Sequence, residues 1–298
     1  MSDKLRNLIV RTLSGAVLLA IVVAAAYMGY WGFGTLMLLI TVIGVWEFYK
    51  LVAAKGVEPQ RGLGMLISTI YVLGCVISLG AWVNYVDNGK LDWAAKAVYE
   101  VGLVASFVVL VVGIALIFVR EVFLAKKTPM LNIASTIMGI FYVAVPMSLM
   151  LTVPLMLSPL GWTPLVFLFY LFIVWGNDVF AYLVGITLGR HKMCERLSPK
   201  KSWEGFVGGV IGAMVMGAVG ALVVGGNLGV WLGLSVVVSL SSVVGDLVES
   251  MFKRDAGVKD SGNILPGHGG ILDRFDALIL SAPFAFIYLL VVVVVPNL

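Results

Sequence analysis

Apolar residues run in long blocks along this chain, and polar residues collect between the blocks. Nine blocks reach the roughly 20 residues that a helix needs to cross a hydrocarbon core of about 30 Å. They cover about 8–29, 31–52, 64–83, 98–119, 131–155, 164–188, 205–226, 228–251 and 272–295. The pattern predicts an all-α, polytopic membrane protein with about nine transmembrane helices. Two connections, 29–31 and 226–228, are so short that the blocks on either side of each read as helical hairpins. Several blocks contain Gly, Pro or a carboxylate, which predicts kinks or local unwinding. The basic amino terminus followed by an apolar block resembles a signal peptide. That block is long and eight more follow, so it reads as an uncleaved first span.

Composition removes the soluble classes. The chain is 61% hydrophobic and 12% charged, with a mean hydropathy of +1.06, whereas soluble domains average about half apolar and about a quarter charged. The net charge of +4 matters less than where the charges fall. Lys4, Arg6 and Arg11 precede or open the first span; Lys50, Lys55 and Arg61 follow the second; Arg120, Lys126 and Lys127 follow the fourth. Arg190, Lys192, Arg196, Lys200 and Lys201 follow the sixth, and Lys253, Arg254, Lys259 and Arg274 lie between the eighth and ninth. Only Lys90 and Lys96 of the 20 basic residues fall on the opposite side. Basic loops stay cytoplasmic, so the amino terminus is expected inside and the carboxyl terminus outside. Both long polar segments, 189–204 and 252–273, then face the cytoplasm. Cys75 sits in an apolar block and Cys194 in a polar loop, which predicts neither a disulfide nor a cysteine metal site. The chain reads as one integral membrane domain, 1–298, without an inverted repeat. Residues 1–130 are expected to be mainly structural and 131–298 to form the catalytic half. No nucleic-acid partner is expected.

Carboxylates inside spans are costly and mark function. Six lie within spans or at their mouths: Glu47, Asp178, Asp246, Glu249, Asp273 and Asp276. Asp246 and Glu249 are three apart on one helix face, which Ser250 and Lys253 continue. Asp273 and Asp276 repeat the spacing at the start of the last span. Four carboxylates are thereby expected at the inner membrane surface. Oxygen ligands suit a hard cation such as Mg²⁺, and the neighbouring bases suit phosphate. Together these are the parts for phosphoryl or nucleotidyl transfer. The plain alternative is a helix bundle in which Asp and Arg neutralise one another. Glu47, beside Trp46 and Lys50, reads as a structural anchor. In WGNDVFAY (175–182), Asn177 fits a structural hydrogen bond, whereas Asp178 calls for a metal or a lysine.

Two polar stretches carry the remaining signals. In PGHGG, Pro266–Gly270, glycines allow close backbone approach and offer N–H groups to an anion. His268 can donate to a phosphate there; a plain turn is the alternative. In SPKKSWEG, 198–205, Lys200 and Lys201 are adjacent bases, and Ser202 is placed to cap the seventh span with Glu204 in its first turn.

The run SMFKRDAGVKDSGNILPGHGGILDRFD, 250–276, resembles the signature of phosphatidate cytidylyltransferases. Ser250, Lys253, Arg254, Lys259, Asp260, His268, Gly269, Gly270, Asp273, Arg274 and Asp276 all match it. SPKKSWEG and the region around Asp178–Tyr182 are similar to that family as well. The resemblance implies transfer of CMP from CTP to phosphatidic acid. It also implies a Mg²⁺ cofactor, in some members a second, monovalent cation such as K⁺, and a homodimer in the inner (plasma) membrane. Carried onto this sequence, it makes Asp246 and Asp273 the foremost metal ligands, with Asp178, Glu249 and Asp276 beside them. Lys253, Arg254, Lys259, His268 and Arg274 become catalytic, with His268 steadying the leaving pyrophosphate. Ser198, Lys200, Lys201, Ser202, Ser250, Asp260, Gly269 and Gly270 become substrate-binding. A cation-coupled transporter is the rival from another class, but its carboxylates would sit near the midplane between repeats. A polyprenol kinase, or a cytidylyltransferase acting on an isoprenoid lipid, would share the charged residues.

Overall fold

The computed structural model describes residues 3–89, 92–124, 126–158 and 161–297, with only the backbone described for 3–8 and 297. Lys90, one of the two bases expected on the far side, lies outside the described residues. Among the described residues, nine helical stretches are long and apolar enough to cross a membrane. They are α1 (Asp3–Tyr27), α2 (Gly29–Ala53), α3 (Arg61–Asp87), α4 (Trp93–Leu124), α5 (Pro129–Leu157), α6 (Pro164–Leu188), α7 (Trp203–Val224), α8 (Leu228–Asp255) and α9 (Leu272–Val294). The chain is a multi-pass membrane protein, and every expected span is present within a few residues.

Contacts divide the chain into two compact units, Met1–Leu151 with Asp255–Phe275 and Thr152–Arg254 with Asp276–Leu298. In the first, only Met28 separates α1 from α2, and Gly29 takes the turn at φ +81°. The expected distortion of α5 is a π-helical turn at Ile140–Ala144, just ahead of Pro146, whose ring cannot continue the regular ladder. Phe33, Tyr49, Ile117, Ile140 and Met147 form a fully buried core. Beside it lies a polar network that the sequence reading missed. Glu121, 4% exposed, accepts from Gln60 at 2.7 Å and from Asn132 at 2.8 Å. It sits so near the end of α4, after Arg120, that it resembles an ordinary boundary charge.

In the second unit, α6 and α7 pack through small residues. A Cβ on Gly208 would stand 2.5 Å from the Val184 side chain, and one on Gly209 2.7 Å from Asn177 Oδ1. Such contact through glycine is how helices associate where lipid removes the hydrophobic driving force. The segment after α6 departs from the all-α expectation. It folds as an antiparallel ribbon of β1 (Lys192–Cys194) and β2 (Ser198–Ser202), with Lys192 opposite Ser202 and Cys194 opposite Ser198. Pro199 blocks a helix there, and cross-strand pairing satisfies backbone groups instead.

Candidate active site

The second unit holds a cavity of about 230 Å³ at the ribbon end of α6. Asp178, Lys200, Lys201, Ser202 and Asp246 line it, with an apolar remainder that includes Ala181, Tyr182, Phe206 and Val243. Three elements deliver these polar groups: α6, β2 and α8. Asp178 comes from α6, where Asn177 Nδ2 donates to its Oδ1 at 3.3 Å. Asn177 in turn accepts from Ser239 Oγ of α8 at 2.5 Å, the structural hydrogen bond its burial called for. Lys200 and Lys201 end the ribbon, and Ser202 caps α7 by accepting from Gly205 N at 3.2 Å. This cap fixes where the strand stops, and so where Lys201 reaches. Its Nζ donates to Asp246 Oδ2 at 2.9 Å.

One turn along α8, Glu249 is buried and paired with Lys253, as the helical spacing predicts. Asp276 is half-buried. Asp246, Glu249 and Lys253 are the charged groups acting on it, and its Oδ1 accepts from Ala277 N at 2.7 Å. Ser250 is half-buried on α8, while Arg254, Lys259 and Asp260 are exposed. Ser198 opens β2 away from the residues lining the cavity.

Among the described residues, no three or more His, Cys, Asp or Glu side chains converge as a ready-made metal cage. Mg²⁺ needs no such cage. It keeps several waters and takes one or two protein carboxylates plus substrate phosphate oxygens. Asp178 and Asp246, two carboxylates on one cavity beside two lysines, fit that demand.

The first unit holds the other half of the signature. Leu265–His268 is a tight turn in which His268 N donates to Leu265 O at 2.9 Å. Pro266 sets the first central position, and Gly267, at φ +73°, fills the second, as a type II turn requires. Gly269 follows at φ +85°, and a Cβ on it would stand 2.6 Å from Asp273 Oδ2. The glycines do serve an anion, and it is the protein's own. Asp273 Oδ2 accepts from Gly270 N at 2.7 Å, Ser261 N at 2.8 Å and Ser261 Oγ at 2.9 Å. Fully buried Glu47 accepts from Leu272 N at 2.8 Å, capping α9 from α2. The anchor expected at Glu47 thus points inward, while Lys50 lies over the Trp46 ring at 4.4 Å. Arg274 donates twice to His268 O, at 2.9 and 2.7 Å, closing the loop on itself. His268 Nδ1 lies 2.6 Å from Ser14 Oγ of α1.

A model described as the cytidylyltransferase family matches residues 9–292. The chain belongs to the cytidylyltransferase family. It is therefore a membrane-embedded nucleotidyltransferase. A protein of Synechocystis named phosphatidate cytidylyltransferase is 28% identical across 96% of this chain and 98% of its own length. One of the same name from Haemophilus influenzae is 34% identical across 92% of this chain and 96% of its own. A third, from Staphylococcus saprophyticus, is 47% identical over 125 residues, 41% of this chain and 48% of its own.

Within this family setting, the sequence reading missed the partners of the signature residues. Ser14, Ser261 and Ser239 each hold a candidate or its neighbour. A serine in an apolar helix ordinarily bonds its own preceding turn, so Ser14 and Ser239 did not stand out, and Ser261 is one polar residue among many in its loop.

Proposed function

We propose that this chain transfers CMP from CTP to phosphatidic acid, giving CDP-diacylglycerol and pyrophosphate for phospholipid biosynthesis. One observation carries the reading: Asp178, Asp246, Lys200 and Lys201 face a single cavity at the end of an apolar helix bundle. That arrangement receives a polyphosphate from water while keeping the protein in lipid. The relatives named above supply the lipid and the nucleotide.

The lipid phosphate is already anionic, so the protein's work is positioning and neutralisation. Lys200 and Lys201 bind phosphate oxygens of the nucleotide. Lys201 also orients Asp246, and Asn177 orients Asp178. These two carboxylates would hold Mg²⁺, which when bound neutralises the triphosphate. Metal roles for Glu249, Asp273 and Asp276, substrate roles for Ser198, Ser250, Asp260, Gly269 and Gly270, and catalytic roles for Lys253, Arg254, Lys259 and Arg274 rest on the family resemblance. So do a monovalent cation and a homodimer. By the positive-inside pattern, the segments carrying these residues face the cytoplasm of the inner membrane, where CTP is dissolved.

The test is direct. Purified protein in detergent receives phosphatidic acid, Mg²⁺ and CTP labelled in cytosine. Mg²⁺-dependent label in a lipid extract is the expected result. Folded protein that binds CTP yet moves no label to phosphatidic acid overturns the proposed substrate pair.

A further inference from the structure

Lys201 and a divalent cation compete for the same carboxylate. Lys201 Nζ donates to Asp246 Oδ2 at 2.9 Å, and both side chains are half-buried. Asp246 and Lys201 are also the charged groups acting on Asp178 in the same cavity. The ammonium thus supplies positive charge to the two carboxylates that would hold a metal. A metal ion on Asp246 would share its carboxylate with a cation already there, and two cations so close repel. Lys200 lines the cavity as well, yet among the described residues Asp246 forms its ion pair with Lys201 alone. The backbone that carries Lys201 is pinned. Ser202, the next residue, pairs with Lys192 across the ribbon and caps α7. The side chain is not pinned, because lysine is a compact charge on a flexible four-carbon stem. Among the described residues, the bond to Asp246 is the one Nζ makes. Breaking it frees the ammonium inside a cavity of about 230 Å³. Charge decides when that exchange is favourable. Two carboxylates and two lysines line the cavity and balance each other. A divalent cation alone leaves the cavity too positive, and a polyphosphate alone finds Lys201 engaged. When both enter, Asp246 meets the cation and Lys201 meets the phosphate.

We propose that Lys201 is a latch on Asp246: it holds the carboxylate against a divalent cation until a polyphosphate anion draws the ammonium away. The inference rests on the site proposed above and adds a coupling between its two ligands. Divalent cation and nucleotide bind cooperatively, and each raises the affinity for the other by the same factor. Lys200 binds phosphate without taking part in this exchange. The two adjacent lysines of the ribbon, alike in type, therefore differ in role, because one of them is tied to Asp246 and the other is not.

Two binding measurements on the full chain in detergent test the latch without turnover. In the first, Mn²⁺ is the probe, and the free ion is counted by electron paramagnetic resonance with no nucleotide present. Lys201→Met should bind Mn²⁺ about tenfold more tightly than wild type, within the usual range for coupled sites. Lys200→Met removes the same charge from the same cavity but spares the ion pair, so it should change the affinity far less. Lys201→Gln, also neutral, repeats the test should the methionine variant not fold. Equal tightening in the Lys200 and Lys201 variants would reduce Lys201 to bulk charge and overturn the latch. So would an affinity that Lys201→Met leaves unchanged or weakens. The second measurement is equilibrium dialysis of labelled CTP in EDTA. Asp246→Asn frees Lys201 and should raise metal-free CTP affinity, and adding Lys201→Met should cancel that gain. A gain that survives in the double variant overturns the proposal. Mn²⁺ binding that Asp246→Asn leaves untouched instead removes Asp246 from the metal site, and the latch falls with that reading.

Discussion

Asp246 and Asp273 each open a pair of carboxylates three residues apart, yet their carboxylates meet different partners. Asp246 lines a cavity and pairs with a half-buried lysine, whereas one oxygen of Asp273 gathers three donors from its own loop. Their substitutions should therefore fail differently. Asp246→Asn breaks a partly exposed ion pair, changing stability by about 1 kcal/mol at most, while turnover falls at least about a hundredfold. Asp273→Ala strands the buried Ser261 and Gly270 donors and should cost about 2–4 kcal/mol. Thermal melts and label transfer in detergent separate the two. Equal loss of stability would show that Asp273 does not organise the loop. Asp246 was legible in the sequence because a carboxylate in an apolar helix is expensive whatever surrounds it. The role of Asp273 as a loop organiser was not, because it depends on Ser261, twelve residues away and unremarkable in type.

Hydrophobic length alone located the helices, since the bilayer allows few other solutions for a buried backbone. What holds their ends was less legible. The amino end of α9 is capped by Glu47 from α2, a partner 225 residues distant. Glycines make room for that carboxylate, because a Cβ on Gly262 would come within 2.2 Å of its Oε1. Glu47→Ala removes both the acceptor for Leu272 N and a negative charge at a helix amino end. It should destabilise by about 2–3 kcal/mol. Glu47→Gln keeps an oxygen for Leu272 N and should lose less than half as much. Equal melting temperatures for the two variants would rule out capping as the reason for the burial. The ribbon of β1 and β2 escaped the reading for a related reason. Strands this short carry no period to detect, and only their mutual pairing defines them.

At the scale of the whole molecule, orientation follows from charge, and two native cysteines make it measurable. Cys75 is buried within α3, whereas Cys194 is partly exposed at the end of β1, between α6 and α7. If basic loops remain in the cytoplasm, Cys194 faces that side together with Lys200 and Lys201. A membrane-impermeant maleimide should label the protein in inside-out vesicles and leave it unlabelled in right-side-out spheroplasts. Cys194→Ser should abolish the signal, leaving Cys75 silent until the membrane is dissolved and the protein unfolded. The converse pattern, with labelling only from outside, would place the cavity on the side without CTP. The reaction could not then run as proposed, however well the cavity's carboxylates and lysines suit a nucleotide. Topology thus constrains the chemistry as firmly as any residue in the cavity, because a lipid-embedded nucleotidyltransferase has to open toward its water-soluble substrate.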